Sequence, residues 1–112
     1  MEEITWNDFK RIKLVVGTVT SAQKFSKARQ PAYIIHADFG SEFGILKSSA
    51  QVTHRYIPED LVGQQIIGVI NFPPKQIGPI NSQFLLTGFT CEDGTVVLAR
   101  PDQQVTNGLQ LE

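Results

Sequence analysis

The sequence predicts an all-β domain of the small-barrel class, and three observations carry that prediction. Polar breaks recur about every eight to twelve residues, the rhythm of compact β domains. The runs between the breaks are rich in β-branched residues or alternate in polarity. At 112 residues the chain is long enough to bury well over half of the surface that its unfolded form exposes. With no internal repeat, low-complexity tract or linker, residues 1–112 read as a single domain.

The elements follow in order. Thr5 with Asp8 three residues later resembles a capping box, so residues 6–10 are expected to form one helical turn. That turn is too short to stand alone and must lay Trp6 and Phe9 on something apolar. Residues 12–25 (IKLVVGTVTSAQKF) predict a long, curved first strand, with Gly17 where it could bend. After a polar break at residues 26–31, residues 32–39 alternate and predict a second strand. Gly40-Ser41-Glu42 then makes a hairpin-sized turn into a third strand at residues 43–48.

Within residues 55–63, Pro58, the acids Glu59 and Asp60 and the stop at Gly63 predict a short helix. Residues 64–72 (QQIIGVINF) predict a buried fourth strand ending at Pro73-Pro74, since proline donates nothing to a ladder. Residues 84–91 and 96–99 complete the pattern as a hairpin across residues 92–95. Three strands, a helix, then two more strands and an added arm is the succession of an OB-fold five-stranded barrel, with a short helix between strands 3 and 4 and added terminal segments.

Composition excludes several function classes. Cys91 is the only cysteine, so no internal disulfide forms, and one thiol with two distant histidines falls short of the roughly four ligands of a zinc site. No cofactor is implied. No run approaches the roughly 18 apolar residues of a membrane span, and residues 1–10 lack the basic start and apolar core of a signal peptide. A cytoplasmic protein without a membrane span is expected. Catalysis is not: no GxSxG, P-loop, HExxH or CxxC pattern accompanies His36 and His54, and Cys91 closes an apolar strand.

The formal net charge of -1 conceals an asymmetry. Residues 10–75 hold nine basic and four acidic side chains, a net of +5, while the segments on either side are each acidic. Such a distribution permits a local positive face, although ordinary solubilising charges would give the same pattern.

Several segments together identify a family resemblance. They are GTV at residues 17–19, DFG at 38–40, KSSAQVTHRYIPEDLVGQQ at 47–65, VINFPPKQIG at 69–78, VVLARPDQQV at 96–105, and Asn107-Gly108. At this spacing the chain resembles the CsaA-like tRNA-binding-domain family, relatives of the domain appended to some methionyl-tRNA synthetases. The resemblance implies an OB fold, a homodimer built partly by the chain ends, tRNA binding and, in some members, an export-related chaperone role in protein secretion. The chain departs from the appended domains in two places. Residues 26–32 replace their Asp-Lys-Leu signature, and Asn81-Ser82-Gln83-Phe84 stands for a Ser-x-Gly-Met-like motif, so that Ser82 alone remains.

OB barrels bind looped or single-stranded nucleic acid with a positive groove and groups that stack on bases or bond their edges. The basic candidates are Lys24, Lys27 and Arg29 after strand one, Lys47 on strand three, and Arg55 and Lys75 flanking strand four. Ser48, Ser49, Gln51 and Asn71 are neutral polar candidates, with Ser82 added by the resemblance. Each has a plainer alternative: a lysine or arginine can simply solubilise, and serines after a strand often satisfy local backbone groups. Tyr33 and Tyr56 can stack on a base or pack their rings inside.

For the homodimer, the apolar terminal residues Ile4, Trp6 and Phe9 at one end and Val105, Leu109 and Leu111 at the other are the expected interface. The expected partners are therefore tRNA or other structured RNA and a second copy of the chain. The alternative is a chaperone that holds unfolded polypeptide or preprotein on apolar patches or a sheet edge.

Overall fold

The computed structural model describes residues 1–112. Helix α1 (Trp6–Lys10) forms as the capping box dictates: Thr5 Oγ1 accepts the Asp8 N–H at 3.2 Å, and the Asp8 carboxylate accepts the Thr5 N–H at 2.9 Å. The strands are β1 (Leu14–Lys24), β2 (Tyr33–Asp38), β3 (Ile45–Ala50), β4 (Gln65–Val69), β5 (Lys75–Ile77), β6 (Ile80–Ser82), β7 (Leu85–Leu86), β8 (Gly88–Thr90) and β9 (Val96–Leu98). Helix α2 (Pro58–Leu61) lies between β3 and β4, with Pro58 in its first turn.

Five antiparallel strands run in the order β3-β2-β1-β4-β7. The sheet nearly closes on itself, which makes it the OB-like barrel that the succession of elements predicts. Its closing seam combines a backbone bond with side-chain bonds. Gln83 donates its N–H to the Lys47 carbonyl at 2.8 Å and returns its Oε1 to the Lys47 N–H at 3.0 Å. One residue pair along, Ser82 Oγ accepts the Ser49 N–H at 3.2 Å. Side-chain oxygens thus replace the ladder partners that the edge of β3 would otherwise lack.

The core joins residues from every side of the barrel, including Val15, Val19, Ile35, Phe39, Leu61, Ile66, Phe84 and Leu98. Phe39 is fully buried and meets Phe84 edge-on at a ring separation of 5.0 Å. Gly17 and Gly68 leave the space that the Phe39 ring fills: a β carbon on Gly17 would lie 2.7 Å from it, and one on Gly68 3.0 Å. Gly17 is therefore a packing glycine. The irregularity of β1 falls beyond it, between Val19 and Ser21, where Thr20 is an extra residue in the pairing with β2.

The expected elements differ from the observed ones in three places here, the first being β4, which ends at Val69 rather than running to residue 72. Residues 84–91 are not one strand but two, β7 on the barrel and β8 on the arm with β9. The β5–β6 hairpin was not foreseen, because Pro73-Pro74 and Gly78-Pro79 mask two three-residue strands.

The last residues run along β1. The N–H groups of Gly108 and Leu111 donate to Val16 and Leu14 at 2.9 and 2.8 Å, and Val16 donates to Leu109 at 3.0 Å. Buried Gln65 clamps this tail: its Nε2 donates to the Val105 carbonyl at 2.6 Å and to Asn107 Oδ1 at 3.0 Å, and its Oε1 accepts the Val105 N–H at 3.0 Å.

Candidate nucleic-acid interface

Register and alternation divide the outer surface of the barrel into two faces of opposite chemistry. On β2 the side chains of Tyr33, Ile35 and Ala37 are buried, so Ile34, His36 and Asp38 point outward. On β3 the buried Ser48 and Ala50 leave Ile45, Lys47 and Ser49 outward. The extra residue at Thr20 shifts the phase of β1 by one, which brings Ser21 and Gln23 onto the same outer face. The rows that result are Ser21–His36–Lys47 and Gln23–Ile34–Ser49. This face is mostly polar.

Two loops bound it. Residues 25–32 connect β1 to β2 and carry Lys27 and Arg29, both exposed, with exposed Lys24 just before them. The β5–β6 hairpin carries Lys75, and its turn at Gly78, with φ of +55°, reaches the first loop. A β carbon on Gly78 would lie 3.5 Å from the Phe25 ring and 3.7 Å from the Lys27 carbonyl oxygen. The strand-one loop and the hairpin after strand four are therefore neighbours in contact.

A groove of about 460 Å³ opens where the hairpin meets the seam. Ser49, Ser82, Gln83 and Lys75 give it polar groups, while Phe72, Ile77 and Leu85 give it apolar surface. Phe72 and Leu85 are more than half exposed, at 56% and 52%. A planar aromatic or an extended apolar side chain fits such a lining.

The residues singled out from the sequence divide by how their groups are already used. Ser48 is 2% exposed, and its hydroxyl donates to the Phe84 carbonyl at 2.7 Å and sits 2.9 Å from Ser82 Oγ. Ser48 and Ser82 thus hold the barrel seam together. Asn71 accepts from the Lys13 N–H at 3.0 Å and donates to the Arg11 carbonyl at 2.7 Å, tying the segment before β1 to the end of β4. Arg55 donates through Nε to Thr95 Oγ1 at 2.7 Å and pairs with Asp93 at 3.8 Å, which anchors the β8–β9 arm. Ser49 makes no hydrogen bond through its hydroxyl within the chain and lines the groove, and Gln51 is exposed just beyond β3. Tyr33 and Tyr56 pack inward: Tyr33 donates to the Tyr56 carbonyl at 2.6 Å, and the Tyr56 hydroxyl accepts the Leu98 N–H at 3.0 Å.

Arg55–Asp93 is the one ion pair in the structure. Lys24, Lys27, Arg29, Lys47 and Lys75 consequently have no acidic partner, as do Lys10, Arg11, Lys13 and Arg100 elsewhere; Lys47 lies on the polar face, with Lys27, Arg29 and Lys75 on the loop and hairpin beside it. The Asp93 carboxyl is held below its ordinary value, first by the Thr95 hydroxyl at 2.6 Å and then by the Thr95 N–H at 3.0 Å, with a smaller contribution from Arg55. No group of three or more His, Cys, Asp or Glu side chains comes together as a metal site would require. No helix is long and apolar enough to cross a membrane.

The second face is apolar at its centre, with Lys10, Lys13, Arg100 and Glu112 at its margins. Leu14 and Val16 of β1 and Ile67 of β4 line a hollow with Val105, Leu109 and Leu111 of the tail. Leu111 also borders the next hollow, beside Trp6 and Phe9 of α1, so the two ends of the chain share one surface. Trp6 is 64% exposed and Leu109 54%, and Ile4 stands beyond them, also exposed.

Comparison with known proteins gives consistent likenesses. A family model described as a putative tRNA binding domain matches residues 14–110. The crystal structure of chaperone CsaA from Bacillus anthracis superposes with a TM-score of 0.92 at 45% identity, over 99% of this chain and 100% of that one. A CsaA chaperone protein from Picrophilus torridus gives 0.91 at 39% identity, over 98% and 100% of the two chains. A methionyl-tRNA-synthetase-related protein from Pyrococcus horikoshii gives 0.87 at 27% identity, with full coverage of both. Methionine--tRNA ligase 1 of Bacillus anthracis is 35% identical over 112 residues, and there the chain spans only 16% of the relative's length.

Proposed function

Because the chain belongs to the tRNA-binding-domain family, with CsaA chaperones among its relatives, we propose that it is a non-catalytic, single-domain, homodimeric tRNA-binding protein. The observation that carries this reading is the placing of cations without acidic partners, with Lys47 on the polar outer face of β2 and β3, Lys27, Arg29 and Lys75 on the neighbouring loop and hairpin, and Lys24 at the end of β1. A polyanion satisfies such charges, releases its own counterions and gains affinity from each contact. The backbone of a structured RNA runs across the adjoining loop of residues 25–32 and the β5–β6 hairpin. Ser49 and Gln51 offer bonds to sugars or base edges, and the groove at Phe72 accepts a splayed base. Ser48, Ser82, Asn71 and Arg55 support this surface by fixing the strands and loops that form it. A cytoplasmic location suits such a protein.

Anisotropy titration of bulk tRNA tests the reading. Binding is expected to weaken steeply with salt, and Lys75→Ala to weaken it by about three- to tenfold while lowering the salt slope by about one. Absence of binding even at low ionic strength would refute it.

The apolar face of β1, β4 and the two chain ends is the proposed dimer contact, in which a twofold axis buries Trp6, Leu109 and Leu111 of both copies. Two polar faces are then carried at a fixed separation, which multiplies affinity for one folded RNA. In sedimentation at micromolar concentration the chain is expected to run as a dimer, and Trp6→Ala to shift it toward monomer. A monomeric native protein would remove this part of the proposal.

The exposed Phe72 and Leu85 at the groove favour a second reading, the holding of unfolded polypeptide or preprotein segments by an export-related chaperone. Suppression of aggregation of an unfolded client, lost on Phe72→Ser, would support it. No suppression at equimolar dimer would exclude it.

A further inference from the structure

The row Ser21–His36–Lys47 is not accounted for by core packing, by the barrel seam or by the groove. The β-bulge at Thr20 is what creates it. Without the extra residue Ser21 would face the core, between Val19 and its neighbours. With it, Ser21 stands directly opposite His36 on the outer face. Ser21 Oγ lies 3.3 Å from His36 Nδ1, and Thr20 Oγ1 donates to the His36 carbonyl at 3.3 Å, so both the ring and its backbone are held. On the other side His36 is in register with Lys47, and directly opposed side chains on one face of a sheet have β carbons about 5 Å apart.

We propose that Ser21, His36 and Lys47 form a phosphate-binding row on the outer face, at which protonation of His36 strengthens the hold on RNA. This inference rests on the RNA-binding reading and adds to it a pH-responsive contact. When the imidazole is charged both ring nitrogens donate. Nδ1–H then goes to Ser21 Oγ, which leaves Nε2–H directed to a ligand oxygen beside the Lys47 ammonium. When the ring is neutral its Nδ1 can accept from the Ser21 hydroxyl and Nε2–H still donates, but the positive charge beside Lys47 is gone and the hold on phosphate weakens.

The charged groups around His36 are few. Lys47 faces it from β3. Asp38 lies two residues along β2, and its Oδ1 is engaged by the Gly40 N–H at 2.9 Å. From β1 only Thr20, Ser21 and Gln23 are near, none of them charged. The row thus has one cation, Lys47, on one side and one carboxylate flank, Asp38, one of whose oxygens accepts the Gly40 N–H.

The test is tRNA anisotropy at constant ionic strength from about pH 8 to about pH 5.5, the range in which imidazole side chains titrate. Wild-type affinity is expected to rise about three- to tenfold on acidification. His36→Gln, at a half-buried position that points out of the core, should remove most of that rise. His54→Gln, at the other histidine, should keep it. A His36→Gln profile parallel to wild type overturns the inference. If wild type binds no tRNA at any pH, the RNA reading itself fails. The row is then judged by NMR of the His36 ring with inorganic pyrophosphate: a saturable shift lost in Lys47→Ala supports an anion site, and an unmoved ring overturns it.

Discussion

Phe39→Ala is expected to lower the unfolding free energy by about 3–5 kcal/mol, the range for truncating a fully buried phenylalanine. The ring is at the centre of the barrel, with Phe84 edge-on at 5.0 Å and the backbones of β1 and β4 brought close by Gly17 and Gly68. No side chain is poised to fill the void, because both glycines lack a β carbon. Since small domains have net stabilities of about 5–15 kcal/mol, the variant should be near the limit of folding. Urea unfolding measures it. Gly17→Val tests the same packing from the other side, since its side chain would overlap the ring, with a cost of about 1–3 kcal/mol. A loss below about 1 kcal/mol for Phe39→Ala would mean that the ring does not organise the core.

Gln65→Leu is expected to release the tail. The change keeps the volume but strands the Val105 N–H and carbonyl and one acceptor site of Asn107, which Thr18 Oγ1 still reaches at 2.8 Å. Leaving such groups without partners costs about 2–3 kcal/mol in total. Amide exchange at Gly108 and Leu111 reports it directly, because both donate to β1 only while the tail is docked. Their exchange should accelerate by about tenfold or more, and the dimer should weaken in parallel, since the tail forms part of its proposed face. Unchanged exchange would show that the β1 contacts hold the tail without the clamp.

The parts of the fold visible in the sequence were those set by local chemistry. The capping box at Thr5 and Asp8, the proline start of α2 and the alternation of β2 each depend on neighbours within a few residues, and each is found at its expected place. What escaped depended on distant contacts. Gly17 suggested a bend because a glycine in a strand reads that way, yet its reason is Phe39 on another strand. The phase of β1 changes at Thr20, a residue with no signal for a bulge, and so the placement of Ser21 beside His36 was invisible. Ser48 and Ser82 lie 34 positions apart, and nothing short of the closed barrel reveals that they bond each other. Likewise, Arg55 carries the same charge as Lys75, but only the fold shows that its charge is met by Asp93.

The central proposal is that the polar face binds RNA and the apolar face pairs two copies of the chain, and amide chemical-shift mapping of the labelled protein with tRNA tests it most directly. The account predicts that the perturbed amides fall in residues 24–30, in β3 and across the β5–β6 hairpin, with residues 105–111 and the start of β1 unmoved. Perturbations concentrated on the tail and on α1, with the face of β2 and β3 silent, would contradict it.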